Sequence, residues 1–203
     1  GALSSAFFLY GTALLYGYSG TFTLRGIDAA VTAHPEGRGL LLAGMALVGV
    51  GLLFKVGAVP FHNWTPDVYT GSPTPVTGFM AICTKFAAVI ALMRVFYVGL
   101  GGVRWDWQPL FALIAVLTML VGSIVALTQT DVKRMLAYSS IAHAGFILVA
   151  VTGASTAATG LRPGGIGSVA AVSVYLVAYG FATLGAFGLV TMVRKAGGEA
   201  TSL

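Results

Sequence analysis

Long apolar stretches alternate along this chain with short clusters of charged, proline and glycine residues. Six stretches stand out, at roughly 1–18, 39–60, 76–100, 109–128, 132–152 and 168–193. Each approaches the ~20 residues that cross a ~30 Å hydrocarbon core at ~1.5 Å per residue. The expected fold is therefore all-α: one polytopic transmembrane bundle over residues 1–203, with about six spanning helices.

The polar interruptions differ in kind. In the first stretch Ser4, Ser5, Gly11 and Ala13 suit close helix packing, with Tyr16 and Tyr18 near an interface. Residues 19–38 hold Arg25, Asp28, His34, Pro35, Glu36 and Arg38, and read as a solvated connection with a short helical turn. Arg104, Trp105, Asp106 and Trp107 form an expected interface belt. The stretch 109–128 reads as scaffold, and Thr130 or Asp131 is placed to cap the helix that follows. A glycine-rich loop is expected at 153–167.

Residues 54–86, FKVGAVPFHNWTPDVYTGSPTPVTGFMAICTKF, break the pattern most informatively. Pro60 cannot donate to the carbonyl four residues back and its ring crowds that turn, so a discontinuity is expected near Lys55 to Pro60. The continuation, 61–74, reads as half-helix and interfacial backbone, because carbonyls freed inside a membrane must be satisfied by protein or water. Discontinuous helices of this kind tend to line ion pathways. Lys85 lies ten residues beyond Pro75, which is ~15 Å along a helix and near the midplane. A helical hairpin would bring Lys55 to comparable depth. His143 falls eleven residues into the fifth stretch, again at midplane depth, with Ser139 and Ser140 three to four residues earlier.

These three residues are the candidate proton-transfer sites. A lysine at such depth is costly and is by default a functional hypothesis; a desolvated amine loads and releases protons more readily than one in water. Snorkelling to the surface works near helix ends and fails ~15 Å from either surface. His143 has a side chain suited to a relay, although the neighbouring serines would also simply satisfy it. His62 and Asp67 flank prolines near an interface and read as structural capping.

Composition removes several other classes. Of 203 residues 57% are hydrophobic and 8% charged, against about a quarter charged in soluble domains; mean hydropathy is +0.91. The net charge of +5 is scattered singly and in pairs rather than as a stripe, so no nucleic-acid partner is expected, and the lipid bilayer is. The single cysteine, Cys83, excludes an internal disulfide, and no Cys or His spacing suggests a metal. Four basic residues on one face (Lys133, Arg134, Arg194, Lys195) against five on the other (Arg25, Arg38, Arg94, Arg104, Arg162) leave orientation open. The chain opens on Gly1 inside an apolar stretch, and the expectation is an internal piece of a longer protein.

The strings FKVGAVPFHNWTPDVYTGSPTPVTGFMAICTKFA and TQTDVKRMLAYSSIAHAGF closely resemble the antiporter-like membrane subunits of proton-pumping NADH:quinone oxidoreductase, respiratory complex I. The resemblance covers essentially the whole chain and implies a piece from about the sixth to the eleventh of fourteen helices. It carries the family's proton-channel lysines onto Lys55 and Lys85, and places His143 in a matching SSIxHxGF stretch of a central polar axis. It also implies a glutamate before this piece and a lysine on a second broken helix after it; Glu199 and Lys195 do not substitute for them. The 61–75 and 130–134 turns would face the cytoplasm or matrix. By the same resemblance this chain itself carries no cofactor and binds no soluble small-molecule substrate. NADH, FMN, iron–sulfur clusters and quinone would reside in partner subunits, and the other membrane-arm subunits would be its partners in a bacterial plasma membrane, with an inner mitochondrial or plastid membrane as the alternative. A subunit of a multisubunit cation/proton antiporter, or a non-pumping membrane scaffold, is the alternative.

Overall fold

The computed structural model describes residues 1–33, 37–153, 166–195, 198 and 199. Among them are eight α-helices: α1 (Ala2–Ser19), α2 (Leu24–Ala33), α3 (Arg38–Val56), α4 (Trp64–Gly71), α5 (Thr74–Met93), α6 (Arg104–Ala126), α7 (Val132–Gly153) and α8 (Ile166–Met192). A π-helical segment, Arg94–Gly99, and a short 3₁₀ turn, Gly101–Val103, join α5 to α6. Arg194–Lys195 pairs antiparallel with Gly198–Glu199 in a two-residue ladder. Most of the expected loop at 153–167 lies outside the described residues, as do His34, Pro35 and Glu36.

Five segments are long and apolar enough to cross a membrane: Arg38–Val56, Thr74–Gly99, Gly101–Ala126, Val132–Gly153 and Val169–Met192. The sixth expected span, α1, has 18 residues, but its serines, tyrosines and glycines dilute it. It lies along α3, where Ser4 Oγ donates to the Gly51 carbonyl at 3.0 Å. Helix α5 borders α3, α4, α7 and α8, while α6 packs along α7. The α6–α7 contact needs a residue without a side chain at Gly122, because a Cβ there would lie 2.5 Å from the Ala142 backbone nitrogen.

Two expectations are corrected in detail. The 19–38 connection holds more than a turn: Leu24, Ile27 and Val31 make a helical apolar stripe, Ile27 is buried, and Leu24 and Val31 pack beside Gly99 and Gly102. The expected interface belt divides. Trp105 is exposed, but Trp107 is buried against Phe96 and Phe111, with its indole N–H donating to the Leu100 carbonyl at 3.1 Å. Packing under the π-helical segment captures that ring, a contact invisible in a local pattern.

The discontinuity after Lys55 is present, and glycine makes the turn. Gly57 takes φ 80°, ψ 34°, a region costly for residues with a Cβ. Its N–H donates to the Phe54 carbonyl at 3.1 Å and the Ala58 N–H to the Leu53 carbonyl at 3.0 Å, closing α3 as a Schellman cap. Side chains then satisfy the interrupted backbone. Trp64 Nε1 donates to the Phe54 carbonyl at 2.8 Å, and the Val59 N–H donates to Thr118 Oγ1 at 3.0 Å. Helix α6, read as scaffold, thus holds the break through Thr118.

The next turn is fixed by α7. Lys133 is buried and donates from Nζ to the Ser72 carbonyl at 3.1 Å, and Arg134 pairs with Asp67 at 3.2 Å. Asp131 Oδ1 accepts the Arg134 N–H at 2.9 Å, capping α7 as its sequence suggests.

Candidate functional site

Midway along α5, Lys85 is only 2% exposed. Its side chain faces α7, where Nζ donates to the Ser140 carbonyl and, at 2.6 Å, to Ser140 Oγ. Among the described residues no carboxylate pairs with it. Instead Nζ lies 5.1 Å from the centre of the Tyr179 ring on α8, within range of a cation–π attraction. Three helices therefore meet at one ammonium group.

The polar contacts continue beyond the lysine. Ser140 Oγ lies 2.7 Å from the Tyr179 hydroxyl, and His143 Nδ1 lies 2.6 Å from the Tyr175 hydroxyl. The His143 and Tyr179 rings are 5.1 Å apart at their centroids. Tyr69 of α4 is buried in the same region and reaches Ser140. These groups border a cleft of about 410 Å³ between α7 and α8, lined by Ser139, Ser140, His143, Tyr175, Tyr179 and Thr183 on its polar side. The walls are otherwise apolar, so hydrogen bonds confined to this strip are less exposed to competition from water.

Lys85 and His143 are thus brought into one cluster, and Lys55 is not. Lys55 stands at the C-terminal end of α3 with its side chain exposed, where a cation is favoured by the helix dipole. Of the other residues noted in the sequence, Asp67 makes the ion pair with Arg134. His62 is half-buried, with its ring edge-on to Tyr138 at 6.4 Å. Burial lowers the His62 pKa from its usual value, and the Pro60 carbonyl opposes that shift.

Sequence reasoning missed the two tyrosines of α8 as site residues. Their spacing of four, against three between Ser140 and His143, was a usable signal: helices running in opposite directions pair Tyr179 with Ser140 and Tyr175 with His143. Hydroxyls in membrane helices are common packing groups, however, and only the α7–α8 contact separates these from the rest.

A bundle of membrane-length helices, broken beside one lysine and carrying a second lysine buried on a hydroxyl network, defines a polytopic helical membrane protein with an ionisable group in its core. Residues 1–203 match the family described as NADH:quinone oxidoreductase/Mrp antiporter, transmembrane, and the chain belongs to it. It is 60% identical to NADH-quinone oxidoreductase subunit N of Cutibacterium acnes, over 100% of this chain and 38% of that protein. Subunit N of a Nocardioides strain is 58% identical over 98% of this chain and 37% of its own length. Among solved structures, respiratory complex I from Thermus thermophilus with bound aureothin contains a chain superposing at a TM-score of 0.72 with 39% identity, covering 95% of this chain and 38% of that one. The chain thus spans a little over a third of these relatives.

Proposed function

We propose that this chain is the central part of a proton-translocating membrane-arm subunit of NADH:quinone oxidoreductase, in which Lys85, His143 and Lys55 pass protons. The observation that carries this reading is the setting of Lys85: a buried ammonium held by neutral oxygens and an aromatic face, with no described carboxylate to hold its charge permanently. A structural lysine at such depth is ordinarily locked by an opposite charge. A proton carrier needs a site in which both charge states are tolerated, and Ser140 Oγ provides one because it can donate to an amine or accept from an ammonium.

In this reading NADH, FMN, iron–sulfur clusters and quinone belong to partner subunits, and the chain sits with other membrane-arm subunits in a bacterial plasma membrane. Quinone reduction in the partners changes the local electrostatics, shifting the proton affinities of Lys55 and Lys85 in turn. Like-charge coupling between neighbouring sites moves the proton on. Support comes from the relatives named above, from the break beside Lys55 and from the Lys85–His143 cluster.

The test is proton pumping against NADH oxidation in membrane vesicles, with Lys85→Met and Lys55→Met each built into the full-length parent and assembly checked on the same samples. Each assembled variant is expected to lose pumping, alone or together with turnover. Survival of assembly, turnover and pumping in both variants replaces this reading with a scaffold.

A further inference from the structure

Tyr175 and Tyr179 stand one helical turn apart on α8 and meet His143 and Ser140, one turn apart on α7. Tyr179 is the only one of the two that also touches the Lys85 environment: its hydroxyl is 2.7 Å from Ser140 Oγ and its ring is 5.1 Å from Lys85 Nζ. We propose that Tyr179 is a proton-relay residue, taking the Lys85 proton through Ser140 and delivering it into the α7–α8 cleft that His143 lines. The inference rests on the reading of Lys85 as a proton carrier.

A hydroxyl has one proton to give and two lone pairs to receive with. With Lys85 charged, the ammonium donates to Ser140 Oγ and the serine proton points to the Tyr179 oxygen. On transfer, an N–H bond of Lys85 breaks as an O–H bond forms on Ser140. The original Ser140 O–H breaks as an O–H bond forms on Tyr179, whose own proton leaves through one water to the imidazole of His143. Lys85 loses one proton, His143 gains one, and both hydroxyls remain neutral with their dipoles reversed. The reversed arrangement suits the neutral amine, because Ser140 now donates to it. Both hydroxyls must turn back before the next proton.

Tyr175 has the supporting part. When His143 Nδ1–H donates to the Tyr175 hydroxyl, Nε2 is left as the free base. The Tyr179 ring keeps the charged lysine tolerable through its π face, so ring and hydroxyl have separate duties. Phenylalanine at 179 separates them, since it retains the ring and removes the relay.

Tyr179→Phe is built into the full-length parent beside Lys85→Met, and assembly, pumping, NADH:quinone turnover and the H₂O/D₂O rate ratio are measured. Tyr179→Phe is expected to assemble, to slow pumping-linked turnover about tenfold for one hydrogen bond lost from the path, and to raise the isotope ratio because proton transfer becomes limiting. Wild-type pumping, or slower turnover with an unchanged isotope ratio, overturns the relay; if Lys85→Met has meanwhile lost pumping, the lysine reading stands. Unimpaired pumping by Lys85→Met overturns both. Should Tyr179→Phe fail to assemble, Ser140→Ala breaks the same path one atom earlier and is judged by the same two readouts.

Discussion

Lys55 and Lys85 look alike in the sequence, one a single charge closing an apolar run and the other a single charge interrupting one, yet their surroundings differ completely. Lys85 is buried on Ser140 and Tyr179, and Lys55 is exposed at a helix end. The exposed lysine still marks a position that the chain treats specially, because the helix stops one residue later. Gly57 enforces that stop, and its substitution is the residue-scale test. Gly57→Ala places a Cβ 2.9 Å from Thr65 Oγ1 in a left-handed backbone, which costs about 1–2 kcal/mol for the backbone conformation alone. The variant is expected to unfold at lower temperature in detergent; an unchanged midpoint would show that the turn relaxes without strain.

At the scale of elements, the half-helix α4 is held by unequal contacts with α7. Lys133 reaches the Ser72 carbonyl from a buried position, whereas the Arg134–Asp67 pair has side-chain exposures of 41% and 73%. Exposed pairs of this kind contribute about 0–1 kcal/mol, and a hydrogen bond from a charged donor, here the buried Lys133 ammonium, contributes about 1.5–3 kcal/mol. Lys133→Met is therefore expected to destabilise the chain clearly more than Arg134→Ala, measured by thermal unfolding of both variants. Equal effects would show that the buried lysine is not what fixes the turn. The existence of most of the long helices followed from apolar length, the Asp131 cap and the proline cluster. The Trp107 environment and the true length of α2 did not, because both depend on which partner helix lies alongside.

Across the whole molecule, the outward Lys55 side chain has a consequence for the longer relatives. A charge facing lipid is expensive, and the chain spans 38% of the Cutibacterium relative's length. Other segments of the full-length parent are therefore expected to cover Lys55. In a Lys55→Cys parent, a lipid-soluble maleimide is expected to react slowly in native membranes and rapidly after denaturation. Equal rates would place the side chain in lipid.

Helix rise, apolar length and turn chemistry are local properties, so the sequence was enough to read a helical membrane bundle, interrupted after Lys55, with Lys85 and His143 near the middles of their helices. The tertiary structure alone decided that Lys85 joins Ser140 and Tyr179 while Lys55 stands apart. It likewise decided that Thr118 of α6 holds the broken backbone and that Tyr175 meets His143. Those pairings depend on the rotation and register of one helix against another. Side chains distant in sequence set both, so neither is written in any single segment.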